Sequence, residues 1–174
     1  MLKGKRVRLR ALEREDVERC HRWLNDEVVT KYLGWRDPLS MVEEERWFEE
    51  QSSDKSRLVL AIEVEGNHIG NIGLHDIDFR NGKATIGIII GEKGEWGKGY
   101  GSEAMCVLLR YAFEDLRLHR VGSFVLVENM RSIRCLEKSG FVREGMRRGV
   151  IFRFGRHLDA ILFGILRDEF RKGD

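Results

Sequence analysis

Between positions 94 and 104 the chain reads Gly94-Glu95-Trp96-Gly97-Lys98-Gly99-Tyr100-Gly101-Ser102-Glu103-Ala104. An apolar, strand-like run from Ala84 to Ile90 comes just before it. Just after it, Ala104, Met105, Leu108, Leu109, Ala112, Phe113 and Leu116 share one helical face. That spacing predicts a long amphipathic helix over about 102–116. A strand, alternating glycines and a helix in that order leave few folds open. The glycines allow positive φ and a close backbone approach. Their N–H groups converge at a helix N-terminus, which suits a pyrophosphate, with Lys98 adding charge at the rim. Two familiar phosphate loops fail on spacing. Lys98 is followed by Gly99 rather than Ser or Thr, and Glu92 stands where a Walker A loop needs its first glycine. A dinucleotide fingerprint would need glycine at Ser102 or at Ala104.

The rest of the chain alternates strands and helices. Val7-Arg8-Leu9-Arg10 is strand-like, and Glu15 to Asn25 carries helical spacing. Ser40 lies three residues before Glu43, a capping-box start to a helix ending near Gln51. Runs at 58–64, 69–77 and 84–90, separated by turn signals, predict an antiparallel meander. The last run is apolar on both faces and is expected to be central. Val121 to Val127 is a further buried strand, and Asn129 opens a short helix that stops at Gly140. Phe141 to Phe154 and His157 to Leu166 close as a strand pair. The expected class is α/β, with a mixed, mostly antiparallel sheet, in one domain over 1–174.

Composition narrows the function classes. The chain has 174 residues, 42% hydrophobic and 34% charged. No apolar run approaches the roughly 20 residues that span a bilayer. No apolar stretch follows the charged start, so export is not expected and a cytoplasmic location is. The three cysteines and five histidines lack metal-ligand spacing, and no metal is expected. The net charge of +2 is uninformative, but its distribution is not. Residues 26–54 hold nine acids against three bases; residues 131–156 hold eight bases against two acids. The first cluster would favour a cation and the second an anion, unless both are solvated faces. The basic stretch lacks an aromatic platform, so nucleic acid is not an expected partner.

Trp96-Gly97-Lys98-Gly99-Tyr100-Gly101 resembles the acetyl-CoA pyrophosphate loop of the GNAT superfamily of N-acetyltransferases, Arg/Gln-x-x-Gly-x-Gly/Ala. Trp96 stands in the Arg/Gln position. In this it is similar to the ribosomal-protein alanine N-acetyltransferase group and the bacterial spermidine acetyltransferases near it. A second match is Asn129-Met130-Arg131-Ser132, followed by Glu137-Lys138-Ser139-Gly140-Phe141. A softer one is Val7 to Glu13 with Lys31-Tyr32-Leu33. The resemblance covers nearly the whole chain.

The resemblance implies a GNAT-type fold, with a splayed central parallel strand pair flanked by helices. It implies acetyl-CoA as co-substrate and an amine as acceptor. Backbone at Ile88, Ile89 and Ile90 would bind pantetheine and polarise the thioester carbonyl. Trp96, Gly97, Lys98, Gly99, Tyr100, Gly101 and Ser102 would cradle the pyrophosphate. Asn129 would hold the pantetheine arm, cap the helix, or do both. Many members protonate the leaving thiolate with a tyrosine, at the position where this chain has Leu136. Ser132 is the substitute candidate acid, against a plain helix-start hydroxyl; Cys135, Tyr100 and Tyr111 stay open. His75, Asp76 and Asp78 are candidate bases, each with a surface reading beside it. The missing tyrosine favours a protein N-terminal α-amine over a polyamine. A catalytically silent acyl-CoA-binding module is the alternative of another class. Trp23, Tyr32, Trp35 and Trp47 are expected to line the acceptor pocket or pack helices. Relatives are often homodimers, and no seam is visible in the sequence.

Overall fold

The computed structural model describes residues 1–33, 37–51 and 53–170. One sheet of eight strands organises it. The strands are β1 (Leu2–Lys3), β2 (Val7–Ala11), β3 (Leu58–Val64), β4 (Asn67–Asp78), β5 (Lys83–Ile90), β6 (Arg120–Leu126), β7 (Val142–Arg153) and β8 (Arg156–Leu166), in the spatial order β1-β2-β3-β4-β5-β6-β8-β7. All neighbours are antiparallel except β5 and β6, which are parallel. The helices are α1 (Val17–Leu24), α2 (Met41–Gln51), α3 (Tyr100–Glu114) and α4 (Met130–Lys138).

The pairing at the centre makes the functional cleft. β5 is held by β4 from Thr85 up to Ile90, and β6 is held by β8 from Arg120 to Leu126. Between β5 and β6 only three pairs form: Lys83 with Arg120, Ala84 with Val121 and Thr85 with Gly122. Beyond them the Ser123 hydroxyl donates to the Ile86 carbonyl at 3.1 Å, where a further ladder bond would otherwise form. From there the two strands part.

The two faces of β4 and β5 differ because directly opposed residues share a face. Leu74 opposite Ile86 and Ile72 opposite Ile88 lie on the face covered by α3. Leu74, Leu108, Leu109 and Phe163 are fully buried there, each contributing about 1.5–3 kcal/mol. His75 opposite Thr85, Gly73 opposite Gly87 and Asn71 opposite Ile89 lie on the other face, toward α1. β5 is central, but Gly87 is exposed and Ile88 to Ile90 are only half-buried, because their edge borders the cleft.

Most expected elements form within two residues of their predicted bounds. The Ser40 capping box is present: the Glu43 N–H donates to the Ser40 hydroxyl at 3.3 Å, and the Ser40 N–H donates to the Glu43 carboxylate at 2.8 Å. Asn129 caps α4, its carbonyl accepting the Ser132 N–H at 3.2 Å, and Gly140 follows at φ +89°. Two bounds shift. The helix expected from Glu15 begins as a short turn over Arg14–Asp16, because the Asp16 carboxylate is drawn to the Glu13 N–H at 2.9 Å and to Arg10. The helix expected from Ser102 begins at Tyr100. Its first turn carries none of the apolar face, because that turn borders the cleft.

Candidate active site

The glycine loop takes its shape from two left-handed residues. Gly97 has φ +79° and Gly99 has φ +87°, conformations that side chains strain. Gly99 caps α3, and the first helical bond runs from the Glu103 N–H to the Gly99 carbonyl at 3.1 Å. The N–H groups of Tyr100, Gly101 and Ser102 precede that bond, so they have no intrahelical acceptor. Together they form a helix start that borders the cleft and has the donor geometry that suits an anion. Gly101 faces α4, where a Cβ would make ordinary contact with the Cys135 sulfur at 3.5 Å.

The loop is fastened from the start of the chain. The Arg6 guanidinium donates to the Lys98 carbonyl at 3.1 Å and to Glu103 at 2.9 Å, and lies over the Tyr100 ring. Glu103 also accepts the N–H groups of Arg6 and Val7. Burial pushes its carboxyl up, but these hydrogen bonds outweigh it and hold the group below its ordinary value. Sequence reasoning missed Arg6, since its partners lie more than 90 residues away. The Lys98 ammonium pairs with Glu95 at 3.0 Å, so its charge is neutralised within the loop.

Two hollows of about 360 and 350 Å³ open at the splay. Both are bordered by Tyr32, Leu33, Ile88, Asn129 and Ser132. The first runs along the glycine loop and α4, and includes Ile88, Ile89, Ile90, Trp96, Gly97, Gly99, Tyr100, Gly101, Ser102 and Asn129. Of the expected cofactor residues only Lys98 is not in its wall. The Gly91 N–H bonds to the Ile69 carbonyl at 2.9 Å. The alternation of an antiparallel ladder then turns the Ile89 backbone groups toward β4, and those of Ile88 and Ile90 toward the open edge. The Ile90 carbonyl already accepts the Trp96 indole N–H at 2.7 Å. Ile88 thus offers a complete N–H and C=O pair to the cleft.

The second hollow reaches the α1-side face and is lined by His75, Asp76, Thr85, Gly87, Ser123 and Leu126. Gly87 leaves a patch of floor without a side chain beside the His75 ring, while Gly73, directly opposed, is buried under Val59 and His75. Burial, with the Arg57 charge, pushes the His75 imidazole below its ordinary value, leaving it neutral and proton-accepting near pH 7. Asp76 sits at φ +50°, an unusual conformation for a side-chain-bearing residue and one that accumulates at functional sites. Asp78 is not part of the cleft; it accepts both the backbone and side-chain N–H groups of Asn81 in a turn.

The candidate acids separate in the same way. Ser132 stands where the two hollows meet. Leu136 is 1% exposed and packed in the core. Cys135 borders the first hollow, and burial pushes its thiol up, so it stays protonated. Tyr100 borders the cleft, whereas Tyr111 packs against the core. Tyr32 lines both hollows, and Trp47 is half-buried on α2. Trp23 is buried over Gly91, edge-on to His68, and donates to Glu92 at 3.1 Å. Trp35 lies outside the described residues.

The acids of residues 26–54 are mostly engaged elsewhere. Asp26 pairs with Lys93 at 2.5 Å, Glu43 caps α2, Glu44 is buried, and Asp54 pairs with Arg57. Among the described residues, none of that cluster lines either hollow.

Comparison with known proteins agrees with this geometry. The model of the acetyltransferase (GNAT) domain matches residues 6–142. The SPbeta prophage-derived N-acetyltransferase YokL of Bacillus subtilis is 34% identical, over 96% of this chain and 93% of its own. "Putative ribosomal N-acetyltransferase YdaF" of the same organism is 31% identical, over 94% and 93%. The crystal structure of spermidine N-acetyltransferase from Vibrio cholerae with CoA and spermine superposes with a TM-score of 0.89 at 30% identity, covering 95% of this chain and 98% of that one. The chain belongs to the GNAT family and is an N-acetyltransferase with acetyl-CoA as its co-substrate.

Proposed function

We propose that the acceptor is a protein N-terminal α-amine. One observation carries this reading: among the described residues, none of the nine acids of 26–54 lines either hollow, and Asp26, Glu43, Glu44, Glu49 and Asp54 are spent on ion pairs, a helix cap and burial, while the acceptor-side hollow offers a neutral histidine beside Gly87. At pH 7, freeing an α-amine of pKa about 8 costs roughly 1.4 kcal/mol, and freeing an amine of pKa about 10.4 costs roughly 4.6 kcal/mol. A lone imidazole suits the first task. The relative named for ribosomal acetylation supports the same reading.

In this mechanism His75 takes a proton from the incoming ammonium. The free amine attacks the thioester carbonyl carbon, whose oxygen is stabilised by the Ile88 N–H. The C–S bond breaks. Ser132 gives its hydroxyl proton to the departing sulfur and regains one from the nitrogen that has just become an amide. The N–H groups at the start of α3 hold the pyrophosphate, and Asn129 holds the pantetheine arm while capping α4.

A polyamine acceptor is the second reading, favoured by the spermine-bound structure of the Vibrio cholerae relative. Thiol release from acetyl-CoA with N-terminal peptides, spermidine and spermine as acceptors separates the two. The first reading predicts turnover on peptides that is lost when the α-amine is blocked. Turnover confined to polyamines would reject it.

A further inference from the structure

The Trp96 indole is fixed at one end, where its N–H donates to the Ile90 carbonyl at 2.7 Å. On its face lies the Arg131 guanidinium, 4.2 Å from the ring centroid. Stacking of this kind leaves the N–H edges of an arginine free for a bidentate anion contact. The usual cation of this loop position is thus absent from the loop itself. A cation arrives instead from α4, and the indole is its platform.

Arg131 is not alone. Arg134 and Lys138 line the same cleft wall, at helical positions three and seven residues further on. They form one row about 10 Å long. Among the described residues, none of the three pairs with a carboxylate, although nearby cations do. Glu137 is turned to Arg143, Glu128 to Arg156 and Glu95 to Lys98. A row of surplus cations beside a pyrophosphate cradle made of N–H groups is one phosphate site too many for the pyrophosphate alone. CoA carries one more phosphate, on the 3′ position of its ribose.

We propose that Arg131, held over Trp96, forms with Arg134 and Lys138 a second phosphate site that reads the 3′-phosphate of CoA. The site rests on the acetyl-CoA assignment but not on the identity of the acceptor. It makes α4 a donor-selecting element, favouring acetyl-CoA over acyl donors that lack this phosphate.

Calorimetric titration with CoA and with 3′-dephospho-CoA, without acceptor, tests it. The wild-type chain is expected to bind 3′-dephospho-CoA at least tenfold more weakly than CoA. Arg134→Gln and Lys138→Gln, both at exposed positions, are each expected to weaken CoA binding severalfold and leave 3′-dephospho-CoA unchanged. The triple variant with Arg131→Gln is expected to bind both ligands alike. Equal wild-type affinities would overturn the proposal, as would variants that weaken both ligands by the same factor. A wild-type chain that bound neither ligand would overturn the pyrophosphate cradle as well. An acceptor other than an α-amine would leave these titrations unchanged, so the two readings fail separately.

Discussion

Replacing Gly87 by alanine should raise stability and lower activity together. A Cβ at Gly87 would lie 3.7 and 3.8 Å from two atoms of the His75 ring, which is ordinary contact. Its φ is not in the left-handed region, so alanine is unstrained there. Removing a glycine from a strand restricts the unfolded chain and contributes about 0.4–1 kcal/mol. For a chain of this size that is a Tm rise of about 1–4 °C. The same methyl group stands on the floor of the acceptor hollow. One methyl in a fitted pocket is worth about 1–3 kcal/mol, so kcat/KM for the acceptor should fall at least tenfold. The KM for acetyl-CoA should hold, because the glycine loop lies on the other side of the splay. Across the pair, Gly73→Ala should behave oppositely in stability. Its Cβ would sit 2.9 Å from the Leu58 carbonyl oxygen, part of a backbone that cannot give way cheaply. Thermal unfolding and steady-state kinetics on both variants read the two effects. A Gly87→Ala protein with a lower Tm would refute the stability argument, and one with unchanged acceptor kinetics would refute the placement of the acceptor beside Gly87.

Other perturbations probe other parts of the account. Ser132→Ala should lower kcat by roughly 10²-fold with little change in acetyl-CoA binding, if its hydroxyl protonates the thiolate; an unchanged kcat would return Ser132 to a plain helix-start role. His75 is held below its ordinary value near 6.5, so the acid limb of kcat/KM should fall below about pH 6.5 and vanish in His75→Gln. Gly91→Ala would put a Cβ 1.9 Å from the Trp23 ring, and a loss of several kcal/mol in chemical unfolding is expected from overpacking of about 1–3 kcal/mol plus backbone displacement. The Glu103 carboxyl is depressed from about 4.5, so its stabilisation is present above about pH 4.5 and is lost as pH falls through the folded-state value. Tm measured against pH should therefore drop more steeply on acidification in the wild type than in Glu103→Gln.

The sequence made the architecture legible wherever periodicity was strong. The apolar face of α3, the Ser40–Glu43 box, the Asn129 cap and the glycine at 140 each reported a local physical requirement. The backbone shape of the glycine loop was legible too, since Gly97 and Gly99 take the left-handed φ that alternating glycines advertise. What stayed hidden was long-range. The Arg6 clamp on the loop and the Arg131 stack on Trp96 depend on which residues the sheet brings together. Gly87 comes to lie beside the His75 ring only once register is set. Charge counts hide partners for a related reason: the 26–54 acids form one cluster in one dimension, but Asp26, Glu43 and Asp54 serve local bonds. Even the backbone role of Ile89 depends on ladder alternation, which a run of three isoleucines cannot reveal.

One competition experiment shows directly which amine is acetylated. A peptide with a free α-amine and an internal lysine is incubated with the protein, acetyl-CoA and an equal concentration of spermidine, and the products are resolved by fragment mass spectrometry. Acetyl is expected on the peptide α-nitrogen, with the lysine and spermidine left largely unmodified. Acetyl appearing chiefly on spermidine or on the lysine side chain would contradict it.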